Sequence, residues 1–199
     1  MFSPMNITRS IAMFTAATYA ATLLAAPPTG WILAGSKPAE YDCAIDPSTT
    51  YNKQLSTYLK SKAGIQTTGF GTLMQMFSSE QYAGKRVRLT AFVKSDNIGP
   101  QGADDAWAGL WMRVDGPNGV QSFDNMQSRA IKGTSTWQPY SVVLDVPQDA
   151  KDIALGILLH GSGAVWISGI KFEVVGPEVP VTSYSAAPKA PVNLSLQEN

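Results

Sequence analysis

One cysteine and one histidine stand in 199 residues, and that scarcity removes whole classes of chemistry. A single thiol forms no internal disulfide, so Cys43 reads as a small buried hydrophobe rather than a crosslink or a reactive site. A single imidazole, His160, excludes multi-histidine metal centres and leaves at most one histidine base. Net charge is missing too, because fifteen basic residues cancel fifteen acidic ones. Nucleic acid and anionic membrane both require a basic patch, so neither is an expected partner. The chain also lacks a phosphate-cradling glycine loop, a G-x-S-x-G nucleophile elbow, an internal repeat and a helical stripe beyond its first residues.

What is present points to short strands. Seventeen glycines, thirteen prolines, five tryptophans, seven tyrosines and seven phenylalanines suit many strands joined by tight turns better than a helical bundle. The opening "MFSPMNITRSIAMFTAATYAATLLAAPPTG" places Arg9 before an uncharged, largely apolar run from Ile11 to Ala26 that ends in small residues. This is the layout of a secretory leader. The run is shorter than the roughly 20 apolar residues a spanning helix needs. Residues 1–26 are therefore read as a signal peptide, and the protein as exported with no stable membrane span.

Residues 30–175 form the expected domain. Turn signals recur along it as "DPSTT", "SKAG", "NIGPQGADD", "DGPNG", "VPQDAKD" and "HGSGA", and the runs between them have strand length. The "GSG" after His160 is read as a hairpin turn. Residues 176–199 carry many prolines and little apolar periodicity, which predicts an extended tail or linker. Asn193-Leu194-Ser195 fits a glycan acceptor, a triplet that also arises by chance.

Alternation assigns the faces, since neighbouring residues of a strand point to opposite sides of its sheet. Val87, Leu89, Ala91 and Val93 form one core row. Ile153, Leu155, Ile157 and Leu159 form another, and Tyr140, Val142, Leu144 and Val146 a third. In "WAGLWMRVD" the apolar row is Ala108, Leu110, Met112 and Val114, so Trp107, Gly109, Trp111, Arg113 and Asp115 face away from the core. A slip of one residue would bury Arg113 and Asp115 and expose Leu110 and Met112, which is far more costly. In "GFGTLMQMF", either Gln75 and Phe77 or Met74 and Met76 join that outward surface.

The outward row has the makings of a ligand platform. Trp107 and Trp111 supply flat apolar rings with a gap at Gly109, Arg113 and Asp115 supply hydrogen bonds, and the small Ala154 and Gly156 leave room if their strand lies in the same sheet. His160 would sit at the mouth, with Asn125 from "SFDNMQSR" as a further contact. The alternative is a second core under a crossing loop, with Arg113 and Asp115 as a structural ion pair and Asn125 on turn duty. Catalytic candidates are confined to His160 and Asp124. No cofactor is expected; Asp104 and Asp105 are solvated loop acids or, with loop carbonyls, a Ca²⁺ site.

The segments "YAGKRVRLTAFVKS", "GLWMRVDGP", "FDNM" and "GTSTWQPYSVVLDVPQDAKDIALGILLHGSGAVWISGIKFE" resemble the carbohydrate-binding-module type of jelly roll in the galactose-binding-like superfamily. The likeness runs over about residues 68–175. It implies an all-β, two-sheet antiparallel β-sandwich (jelly roll) and a noncatalytic module for a carbohydrate or similar small ring-bearing ligand. Ser168-Gly169 stands where related domains often carry an acidic pair, which removes support for an inherited calcium site. Similar folds include calcium-dependent cyclases, so an enzyme using the same face is the alternative, and a protein-interaction module the second. If the leader is processed, mass spectrometry of protein secreted from an exporting host will show a mature chain starting near Pro27, whereas an intact Met1 terminus would count against export.

Overall fold

The computed structural model describes residues 26–65, 67–99 and 105–182. The leader up to residue 25, Asp104 and the Asn193-Leu194-Ser195 triplet lie outside the described residues. Strict alternation of apolar and polar side chains commits this sequence to extended chain, and ten strands result. They are β1 (Ile32–Gly35), β2 (Tyr41–Tyr51), β3 (Gln54–Ser61), β4 (Phe70–Ser78), β5 (Arg86–Ile98), β6 (Trp107–Gly116), β7 (Gly119–Asp124), β8 (Gly133–Asp145), β9 (Asp152–His160) and β10 (Ala164–Val175). A front sheet of order β1-β4-β9-β6-β7 faces a back sheet of order β2-β3-β10-β5-β8. All pairings are antiparallel. The protein is a two-sheet antiparallel β-sandwich.

The rows expected inside are inside. Val87, Leu89, Ala91 and Val93 of β5, and Ala108, Leu110, Met112 and Val114 of β6, pack with the odd-numbered row of β9 in one cluster between the sheets. Cys43 joins them, and burial pushes its thiol up to about 12. That thiol is protonated at neutral pH and inert.

Most turns carry the chain from one sheet to the other. Only β2–β3 and β6–β7 are hairpins between sequential neighbours. The "GSG" after His160 is accordingly a crossover rather than a hairpin, since β9 lies in the front sheet and β10 in the back one. Gly163 has φ +123°, and a Cβ there would come within 2.9 Å of the Asn97 carbonyl oxygen; only glycine fits. "DPSTT" is not a turn between strands but an irregularity inside β2, where the register with β3 shifts between Asp46 and Thr50. The Asp46 carboxylate accepts from the backbone N–H groups of Ser48 (2.9 Å) and Thr49 (3.2 Å) and so supplies the partners the ladder does not. The true hairpin turn is Asn52-Lys53, both in the left-handed region, as a two-residue loop of that geometry requires.

The segment after β10 lies along β8, an edge strand of the back sheet. The Thr182 N–H donates to the Val143 carbonyl (2.9 Å), and the Val143 N–H donates to Thr182 Oγ1 (2.8 Å). Arg86 Nη1 reaches the carbonyls of Pro177 (2.8 Å) and Val179 (2.7 Å). Pairing of this kind covers an edge that would otherwise be open to another strand.

Asp124 sits opposite Met112 in the β6–β7 ladder and therefore shares the inner face of the front sheet, buried at its margin. Burial alone would raise its carboxyl. Hydrogen bonds from Arg129, from Thr182 and from the Met126 N–H outweigh this and hold it below the usual range. Arg129 grips both carboxylate oxygens, at 3.0 and 2.6 Å. A carboxyl depressed on folding stabilises the protein fully above the unfolded value near 3.9 and loses that contribution as pH falls through the folded value. Asp124→Asn is expected to cost about 1.5–3 kcal/mol at pH 7, with the gap from wild type narrowing below about pH 4. Urea midpoints of both proteins at pH 7 and pH 3 check this, and a gap independent of pH would refute it.

Candidate functional site

The outer face of the front sheet is laid out by the register of β4, β9 and β6. Phe70, His160 and Trp107 stand in one row across the three strands. Thr72, Leu158 and Gly109 form the next, then Met74, Gly156 and Trp111, then Met76, Ala154 and Arg113 with Phe123 of β7 beside it. Trp107 and Trp111 thus face away from the inter-sheet core, as the alternation in β6 predicts.

The two indoles nevertheless do different things. Trp111 is only 7% exposed and packs with Ala154 and Leu158, flanked by Met74 and Trp107, in a second apolar cluster separate from the main core. Its Nε1–H donates to Thr72 Oγ1 at 2.8 Å, and that hydroxyl donates to the Ile157 carbonyl at 2.9 Å. Reaching Thr72 from β6 means crossing β9, and Gly156, directly opposite Trp111, has no side chain to obstruct the ring. The room that Ala154 and Gly156 leave is therefore filled from within the protein. Trp107 remains partly exposed, its ring centre 6.3 Å from that of His160 with the planes tilted by 33°.

Gly109 is no gap between the rings either. A Cβ at this position would lie 2.5 Å from the Asn125 carbonyl oxygen and 3.0 Å from Met126 Cβ, so the backbone leaving β7 crosses the sheet here and needs glycine beneath it. Met126 has φ +61°, and its N–H is tied at 2.8 Å to Asp124 Oδ1. Expectations of a platform and of a loop-covered second core both describe part of this face.

A cleft of about 560 Å³ remains open above it, within the ordinary size of small-molecule sites. Its walls are mostly apolar: the two indoles, Phe70, Phe123, Met74 and Leu158. Polar side chains enter at Thr72, Arg113, Asn125 and His160. Of the residues singled out from sequence, Trp107, Trp111, Arg113, Asn125 and His160 converge on this cleft. Asp115 lies behind Arg113, where Oδ2 accepts from Nε at 2.9 Å and pairs in charge with Nη2, also at 2.9 Å. Asn125 combines both roles considered for it, since it lines the cleft while Oδ1 accepts from the Gln127 N–H at 3.1 Å. Asp124 does not join: it is on the opposite face of the front sheet from His160, so the two catalytic candidates do not meet. Among the described residues, no group of three or more His, Cys, Asp and Glu side chains is placed to hold a metal ion.

Phe70 and Thr72 escaped the sequence reading. The alternation Phe70, Thr72, Met74, Met76 was the available signal, but its partner strands are distant in sequence. On the outer face of the back sheet, alternation in β5 puts Phe92 and Lys94 opposite the core row but does not give the partners they meet there. There the Tyr51 and Phe92 rings stack at 4.0 Å, Lys94 stands 4.4 Å above the Trp166 ring, and Trp166 Nε1–H donates to Asp46 Oδ2 at 2.8 Å. Hydrogen bonds from Ser48, Thr49 and Trp166 hold the Asp46 carboxyl well below its usual range.

No family model matches the chain. Its sequence is 39% identical over 173 residues to the HTH-type transcriptional regulator YbfP of Bacillus subtilis strain 168. The alignment takes in 85% of this chain and 57% of that protein, so the chain spans little more than half of the relative's length. Among solved structures, a xylan-binding domain of carbohydrate-binding module family 22 superposes with a TM-score of 0.54 at 14% identity, over 74% of this chain and 88% of that one. The first such module of Paenibacillus barcinonensis Xyn10C gives 0.51 at 15% identity, over 75% and 88%. A cyclase from Fischerella sp. TAU gives 0.50 at 15% identity, over 76% and 87%. These structures share the sandwich. Their identities are too low to transfer a ligand.

The cleft's geometry separates its two tryptophans experimentally. Trp111→Ala removes a buried ring and strands the Thr72 hydroxyl, and is expected to lower stability by about 3–5 kcal/mol. Trp107→Ala, at the open rim, is expected to cost no more than about 1–2 kcal/mol. Chemical denaturation ranks them, and equal losses would mean that the rim indole is structural as well.

Proposed function

We propose that the protein is a noncatalytic binding module whose front-sheet cleft takes a carbohydrate or similar small ring-bearing ligand. The observation that carries this reading is the cleft itself: an apolar trough with a half-exposed indole at the rim and a few polar side chains at its two ends. Trp107 would stack on the ligand ring, Trp111 would form the floor, and Arg113, Asn125 and His160 would fix its orientation. Asp115 would act through Arg113 by holding the guanidinium. The sandwich shared with xylan-binding modules supports the ligand class by analogy of fold. The leader-like segment over residues 1–26 supports export.

The relative's name favours a second role for the same cleft. In a regulatory protein, a sandwich of this kind would serve as the part that receives a small-molecule signal. The described residues hold no α-helix, so this reading assigns them ligand binding and assigns them no contact with DNA.

Titration of intrinsic tryptophan fluorescence and calorimetry against an oligosaccharide panel test the proposal. A saturable response from at least one sugar is expected, weakened about tenfold or more by Trp107→Ala, which corresponds to about 1.4 kcal/mol. Absence of any saturable response across the panel would defeat it. Conversion of a bound sugar to product, abolished by His160→Ala, would replace it with an enzymatic reading.

A further inference from the structure

The hydrogen-bonding groups left free in the cleft are unequally divided between donors and acceptors. Thr72 spends its proton on the Ile157 carbonyl and accepts from Trp111 at a site that is 3% exposed. Asn125 Oδ1 accepts from the Gln127 N–H. A backbone N–H can face only the oxygen of that amide, so the orientation is determined, and the Nδ2 donors are left over. Arg113 donates Nε–H to Asp115 Oδ2 and keeps Nη2 beside the same oxygen in an ion pair, and Nη1 has no partner among the described residues. No carboxylate lines the cleft. Apart from His160, which can play either part, and one remaining lone pair each on buried Thr72 Oγ1 and on Asn125 Oδ1, its unspent side-chain groups are donors.

That imbalance is selective. A sugar hydroxyl both donates and accepts, and in a cleft without carboxylates its own proton finds few partners. A carboxylate only accepts, with about four lone-pair positions, and suits guanidinium and amide N–H groups. Resting on the carbohydrate reading above, we propose that the cleft takes an acidic saccharide, one bearing a uronate carboxylate, and that Arg113 is the residue that selects it.

The surroundings of Arg113 fit this role. Phe123 is its direct partner across the β6–β7 ladder, and Ala154 its partner on β9. The Arg113 side chain thus stands between Phe123 and Ala154 and is 39% exposed, so a ligand in the cleft can reach it. Asp115 and Asp152 face each other one row further on, outside the cleft. They bring negative charge to that end, so net attraction does not drive the selection. It depends on directed N–H groups at a guanidinium that Asp115 holds in one orientation, and a point charge would not substitute.

Three matched ligands decide the matter: a uronate-containing oligosaccharide, its uncharged methyl ester, and the corresponding neutral oligosaccharide. Each is titrated by calorimetry into wild type, Arg113→Gln and Arg113→Lys, with unfolding midpoints confirming that the variants fold. Wild type is expected to bind the uronate at least tenfold more tightly than the other two, and both variants are expected to lose that preference, with the three ligands bound alike at whatever affinity each variant retains. Equal binding of uronate and neutral sugar would overturn the selectivity and leave the cleft a carbohydrate site. Equal binding of uronate and methyl ester would overturn the need for a carboxylate. A preference retained in Arg113→Gln would overturn the role of Arg113, and failure of all three ligands to bind would overturn the carbohydrate reading itself.

Discussion

Trp111 lies on the outer side of a sheet, yet it is almost as inaccessible as a core residue, and burial leaves its indole N–H in need of a partner. That partner is Thr72, two strands away across β9, where Gly156 stands opposite Trp111. An unsatisfied N–H at this depth would cost more than the bond is worth in water. The bond from Trp111 to Thr72 and on to Ile157 therefore ties β6, β4 and β9 together on the side away from the main core. It makes the floor of the cleft rigid. Above that floor stand the more exposed side chains of the rim, Trp107, His160 and Asn125.

A sandwich whose connections mostly pass from sheet to sheet gains another property. Each crossover brings a loop to the margin of the front sheet, and the segment after β7 folds back over β6 at Gly109, where glycine is required. Asp124 anchors that segment from below through Met126 and Arg129, and Thr182 of the strap along β8 helps to hold the same carboxyl in its charged form. Asn125 on the cleft side and Asp124 on the core side are thus consecutive residues held by different environments. The inner carboxylate fixes the backbone that presents the outer amide. A side chain presented by a segment secured in this way is ordered before anything binds to it.

Much of the fold was legible because period-two alternation carries its own register: one bulky row in "WAGLWMRVD" had to be inside, and placing Arg113 there was prohibitive. The same logic identified the outward tryptophans, arginine and aspartate. It could not say that Trp111 would lie nearly sealed, since that depends on β4 and β9 being neighbours. Nor could it place Asp124, whose inward position is tolerable only because Arg129 and Thr182 come to it. "DPSTT" looked like a chain reversal because Asp, Pro and Ser favour turns, yet the Asp46 side chain satisfies the backbone locally and β2 continues past it. The pairing of Trp166 with Asp46 joins residues 120 positions apart, beyond the reach of any local pattern.

By itself the sequence determined which side of β5, β6, β8 and β9 is apolar and the all-β class, and its one cysteine and one histidine left no internal disulfide or multi-histidine site to form, since these follow from composition and from alternation along single strands. Tertiary structure alone decided which strands are neighbours. With that it settled that one tryptophan is floor and the other rim, that Gly109 lies under a crossing backbone, and that the free polar groups of the cleft are mainly donors. Hydrogen bonds between distant strands use up some side-chain atoms and spare others, and only the assembled sheets determine which.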